Sequence, residues 1–361
     1  MVKYKIKSIL IFLATILILL CLNSRSLAQR SVAYSPGIAI TDVAGIKVGH
    51  HTLKERLTGC TAILIEKGAV AGVDVRGFAP GTRETDLLDP VNTVQEIHGI
   101  SLAGGSAFGL DAASGVVRYL EESDRGFPVG DLKIPIVPAA VLFDLQLGDR
   151  PKIRPDSNCG YQAAKTATSE RVPEGNVGAG AGATVGKLLG NERAMKSGVG
   201  TYSVTLNNGV TVGAIVAVNA VGSVVDPQTG NVVAGIRTEN GEKLLNTKEI
   251  LQQLGGSTVD FGENTTIGVV ATNASLNQAQ VTQVARMAQS GLARTIVPAH
   301  TPLDGDTLFS VATGELDAGD VLEIGSIAAE VTSQAIIRAV TLSKGIPSYP
   351  GIGDLTKKAK K

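Results

Sequence analysis

Tryptophan is absent from the 361 residues, and aromatic side chains make up only 4% of them. Single-stranded nucleic-acid platforms need such rings for stacking, so that class is disfavoured. No charge excess of either sign exists: 33 Lys and Arg face 33 Asp and Glu, whereas a nucleic-acid scaffold carries a basic surplus. Histidine is scarce, and His50, His51, His98 and His300 fall in no HExxH motif and no Cys/His cluster. No metal site is therefore indicated, and no cofactor is expected. Charged residues amount to 18% against 43% hydrophobic, which excludes a disordered chain and allows a sizeable core. No linker of biased composition divides residues 36–356.

Long apolar runs are also missing, with one exception. MVKYKIK carries three lysines, SILIFLATILILLCL is apolar, and Ser26-Leu27-Ala28 has a small-x-small form. The run is about 15 residues where a membrane span needs roughly 20. Residues 1–28 therefore read as a secretory signal peptide, an uncleaved anchor being the lesser reading. Export would place the protein in the periplasm or outside the cell, with no membrane contact after cleavage. Of three cysteines, Cys60 and Cys159 lie beyond that segment. An oxidising compartment allows them to pair, but a core this large needs no staple, and two buried thiols is the preferred expectation.

What is abundant is glycine, 43 residues, set between β-branched runs and helical patterns. Thr61 to Glu66, Ile100 to Ala103 and Val212 to Val218 suit buried strands. Helices are predicted from Ser106 to about Glu122, from Ser275 toward Arg294, and from about Ile327 to Thr341. Ser275 and Gln278 have capping-box spacing. A mixed α/β arrangement follows, as one domain or two tightly merged sheets.

Two glycine-rich segments imitate known motifs. Gly178 to Lys187, GAGAGATVGK, fails the phosphate-loop template: the first required glycine falls on Ala181, and Leu188 stands where Ser or Thr should follow the lysine. Gly104 to Phe108, GGSAF, is not a nucleophile elbow, because Phe108 replaces the second glycine of GxSxG. Its expected role is a tight turn with Ser106 capping the following helix.

Gly262 to Asn273, GENTTIGVVATN, is where chemistry enters. A loop with Gly255, Gly256 and Gly262 runs into a β-branched strand that opens on Thr265-Thr266. Cutting the Asn264-Thr265 bond would give Thr265 a free α-amine beside its own hydroxyl, an internal general base for a nucleophile. The cut could be autocatalytic, by an N-to-O acyl shift. From residues alone, a Thr-Thr pair opening a strand is more simply β-propensity.

The ordered blocks decide between the two. Ile40 to Thr52 (ITDVAGIKVGHHT), Val73 to Leu88 (VDVRGFAPGTRETDLL), Gly99 to Val117, Ile134 to Leu145, the GAGAG run, Val216 to Gly222 (VAVNAVG), NTTIGVVATN and His300 to Gly314 (HTPLDGDTLFSVATG) together resemble the self-processing L-aminopeptidase/D-esterases. That family includes β-peptidyl aminopeptidases and nylon-oligomer hydrolases. The resemblance implies a four-layer αββα sandwich in the broad α/β (α+β) class, shared with ornithine acetyltransferases. It implies cleavage between Asn264 and Thr265 into an α chain, residues 29–264, and a β chain, residues 265–361. Thr265 would be the nucleophile and Asn219 the amide donor to the oxyanion. Lys187 would be the nearby ammonium, and Asp304 and Asp306 the paired acids, facing one side of a strand edge. Phe143 stands where relatives have a tyrosine, so it is expected near the substrate. The implied activity is hydrolysis of small peptides or amides with a free amino end, by a homo-oligomer, a tetramer in the pattern of the family. An acetyl-transferring relative and a non-catalytic periplasmic binding protein are the alternatives. No nucleic-acid partner is expected.

Overall fold

The computed structural model describes residues 34–253 and 264–358; the signal-peptide expectation lies outside them. No described helix is long and apolar enough to cross a membrane. The body from Pro36 onward is built on two sheets that share one strand. In chain order its main elements are β1 (Lys47–Thr52), β2 (Gly59–Val75), β3 (Glu96–Ala103), α1 (Ala112–Glu122), β4 (Ala139–Val141), α2 (Ser157–Lys165), β5 (Val199–Leu206) and β6 (Thr211–Asn219). They continue with β7 (Thr265–Ala274), α3 (Gln278–Thr295), β8 (Thr307–Leu316) and α4 (Val321–Thr341).

The first half of β2 pairs with β1 and with β3, and β3 pairs in parallel with β4. The second half, Val70 to Val75, pairs with β8. Beyond β8 the order runs β7, β6, β5, with β7 and β8 parallel and the others antiparallel. The β2–β3 register shifts between Leu64 and Ala69, where the long strand passes from one sheet to the other.

Period-two alternation sorts these strands into layers. On β6, Val212, Ala214, Val216 and Val218 pack with Val281, Val284 and Leu292 of α3 and Val331, Ala335 and Ile336 of α4. The intervening Ile215 and Ala217 join Ile267, Val269, Phe309 and Val311, and meet Ile63, Ile65, Ile100 and Leu102 from the other sheet. Ala62, Leu64 and Ala103 turn outward onto Val116 and Leu120 of α1 and Ala163 of α2. Three apolar interfaces separate four layers in the order αββα, as expected. Burying one such Val, Leu or Ile side chain contributes about 1.5–3 kcal/mol.

Three local expectations are corrected. Cys60 and Cys159 form a disulfide, tying β2 to α2 across a sequence separation of 99 with Cα atoms 6.2 Å apart. Core size argued for free thiols, but helix α2 packs its first turn directly on β2, which brings the two sulfurs together. The α3 capping box uses Asn277 and Gln280, not Ser275 and Gln278: the Asn277 side chain accepts from Gln280 N at 3.0 Å, and Gln280 Oε1 accepts from Asn277 N at 2.9 Å. Ser106 does not cap a helix; it sits at φ 55 in a 3₁₀ turn, and its N–H bonds Leu142 O at 3.0 Å.

Candidate active site

The last pair of the β6–β7 ladder is Asn219 opposite Thr265. By the alternation above, both side chains fall on the face between the sheets. Asn264, Thr265 and Thr266 are 6%, 4% and 0% exposed. The Asn264 carbonyl oxygen, on the peptide bond expected to be cut, accepts the Gly305 N–H at 3.0 Å and also the Thr265 hydroxyl. This carbonyl is thus polarised by a backbone donor beside the hydroxyl that would attack it.

The Asn219 amide is oriented from both ends. Its Oδ1 accepts from Lys187 Nζ at 2.8 Å and from Thr184 N at 3.1 Å, while Nδ2 donates to the Phe143 carbonyl at 2.8 Å. The glycine run 178–187 therefore delivers Thr184 and Lys187 to Asn219. Lys196, fully buried beneath it, donates to the carbonyls of Gly180, Ala183 and Ser197. Desolvation pushes its amine down to about 7 against the pull of Asp144. The half-buried Phe143 lines a small hollow with Thr184, Lys187 and Tyr349.

Asp304 and Asp306 lie in the loop before β8 rather than on a strand edge, and their carboxylates take different partners. Asp304 Oδ2 accepts from Thr301 N at 3.0 Å and Thr301 Oγ1 at 2.5 Å. Asp306 Oδ1 accepts from Thr266 N at 2.8 Å, and its Oδ2 accepts from His300 N at 3.0 Å. Both acids are 1% exposed. Burial, reinforced by Asp306, pushes the Asp304 carboxyl up to about 6, against hydrogen bonds from Thr301 and Val221.

This loop is strapped to the end of β2. Arg76 N and Gly77 N donate to Asp306 O at 2.9 and 3.2 Å, and Ala79 N donates to Asp304 O at 2.9 Å. A Cβ on Gly77 would lie 2.3 Å from Asp304 O, and one on Gly305 would lie 2.5 Å from Ala79 O and 2.9 Å from Thr265 Oγ1. Both contacts are far inside van der Waals distance, so both positions require glycine. Gly77, Gly305, Thr301 and His300 are the site residues that motif reading missed. Their only sequence signals were the glycines inside RGF and DGD and the His-Thr pair upstream. Among the described residues, no group of three or more His, Cys, Asp or Glu could hold a metal ion.

A threonine heading a central strand, an oriented amide–ammonium pair and two buried acids, all set on an αββα frame, define a class of amide-bond hydrolases. The chain belongs to Peptidase family S58, which it matches over residues 39–351. It is 43% identical over 357 residues to an uncharacterized aminopeptidase of Mycobacterium leprae, covering 88% of this chain and 95% of the relative. It is 31% identical over 313 residues to a 6-aminohexanoate-oligomer endohydrolase of Kocuria, covering 82% and 84%. In fold it is similar to the L-aminopeptidase D-Ala-esterase/amidase of Ochrobactrum anthropi, described as a variant of the Ntn hydrolase fold. That match has a TM-score of 0.67 at 19% identity and covers 91% of this chain and 94% of the other. The protein is a hydrolase of peptide or amide bonds.

Proposed function

We propose that the chain cuts itself between Asn264 and Thr265 and then hydrolyses small peptides or amides bearing a free amino end, through an acyl-enzyme on Thr265. The observation that carries this reading is the buried Asn264 carbonyl, held by Gly305 N–H at 3.0 Å with the Thr265 hydroxyl against it. In the cut, Thr265 Oγ1 bonds to the Asn264 carbonyl carbon, the C–N bond breaks, and the hydroxyl proton passes to the departing nitrogen. Water then hydrolyses the ester and leaves a free α-amine on Thr265. In turnover that amine accepts the hydroxyl proton as Oγ1 attacks the substrate carbonyl. The proton goes on to the leaving amine, and water releases the acid. Asn219, fixed by Lys187 and Thr184, would donate to and stabilise the charge developing in this step. The Cys60–Cys159 disulfide supports export to an oxidising compartment.

Intact-mass analysis tests the reading. The native chain should yield a fragment of residues 265–361, about 10 kDa of the 37.1 kDa total. Thr265→Ala should remain uncut and inactive on amino-acid amides and aminohexanoate oligomers. Cleavage of this variant at the same bond would overturn the self-processing reading.

A further inference from the structure

Asp306 is gripped twice by one residue. His300 donates its backbone N–H to Asp306 Oδ2 at 3.0 Å, and its ring Nδ1 lies 3.0 Å from the same oxygen. The second carboxylate oxygen takes the N–H of Thr266, the residue after the nucleophile. His300 reaches this double contact from φ 54, a left-handed conformation that costs a non-glycine residue of order 1 kcal/mol. Its side chain is 21% exposed beside an acid side chain that is 2% exposed. The buried carboxylate therefore reaches the surface through this imidazole. The neighbouring Thr301 holds Asp304 in the same manner, through its N–H and hydroxyl, so residues 300 and 301 clamp one acid each.

We infer that His300 is a positioning residue for the reaction: its ring fixes the Asp306 carboxylate, which in turn fixes the start of β7 and the Thr265 hydroxyl. The inference rests on Thr265 being the nucleophile. It assigns His300 no contact with substrate; the ring acts through Asp306 alone.

The first-order rate of precursor cleavage, followed by mass or gel, tests this without a substrate; turnover of an L-amino-acid p-nitroanilide gives a second readout. Asn suits the test because its amide can replace the Nδ1 donor and it tolerates φ near +54 better than most residues. His300→Asn should therefore keep cleavage within about three-fold of the native rate, whereas His300→Ala should slow it at least about ten-fold, the scale of one charge-assisted hydrogen bond. On the p-nitroanilide, the Ala variant should lose kcat with little change in KM. Adding His300→Ala to Asp306→Asn should cost nothing further, because the ring has then lost the charge it positions. If the Ala variant does not fold, His300→Gly, which relieves the backbone strain, takes its place. Native rates in the Ala or Gly variant, failure of Asn to rescue, or full additivity with Asp306→Asn would each overturn the inference. Cleavage in Thr265→Ala would instead overturn the reading beneath it, so the two failures are distinguishable.

Discussion

Asp304 and Asp306 share a loop and a depth of burial, and burial, reinforced by the Asp306 charge, pushes the Asp304 carboxyl up to about 6. The folded chain thus holds a proton on Asp304 that the unfolded chain releases near 3.9. Proton binding by the native state favours folding in acid, and this contribution fades as pH rises from about 4 to about 6. Asp304→Asn removes the ionisation. Its stability relative to the native chain should therefore improve with pH across that window, by on the order of 3 kcal/mol at most. Paired thermal melts at pH 4 and pH 7 measure the change; a gap that stays constant or widens in the opposite direction would contradict it. For clean comparison the melts belong in the Thr265→Ala background, where by the proposed reading both proteins stay single chains.

At the scale of elements, what was legible in the sequence was what depends on neighbours along the chain. The runs TAILIE and VGAIVAV announced β2 and β6 because β-branched residues suit pleated, buried backbone, and both lie within those strands. The α3 cap was misplaced by two residues because Ser275/Gln278 and Asn277/Gln280 offer the same spacing; only the position of the first helical turn chooses between them. Thr265, Asn219, Lys187 and the two acids were legible through ordered motifs, and the fold brings them together. His300 and Gly77 were not, since their roles arise from a left-handed residue and from a backbone crossing between segments more than 200 residues apart. The disulfide is of the same kind: it joins a strand and a helix that chain order separates. Its closed loop of about 100 residues would make it worth up to roughly 5 kcal/mol by chain entropy, and typical disulfides contribute about 2–4 kcal/mol. Replacing Cys60 and Cys159 by Ala should lower the denaturant midpoint accordingly, and added reductant should lower the native midpoint but not the variant's. Equal midpoints for native and variant proteins under oxidising conditions would show that the link adds no stability.

For the whole molecule, the position of β7 sets how an enzyme processed at the proposed bond could be made. The strand that begins at Thr265 lies between β6 and β8, inside the sheet and away from its edges. β6 precedes the proposed cut; β8, α3 and α4 follow it, and the helices bury apolar surface on β6. Both cysteines precede residue 264, so their bond does not span the proposed break. The proposed cleavage would change the molecularity of folding: the precursor would assemble by a first-order process, whereas two denatured fragments would first have to find each other. Diluted from denaturant, Thr265→Ala should recover with a yield and rate independent of protein concentration, while the processed enzyme should recover with a second-order phase and poorly when dilute. Concentration-independent recovery of the processed enzyme would show that one fragment folds without the other. In its absence, the proposed maturation would work as a ratchet: the intact chain would build the sheet once, and the broken chain would inherit a structure it rebuilds only by encounter.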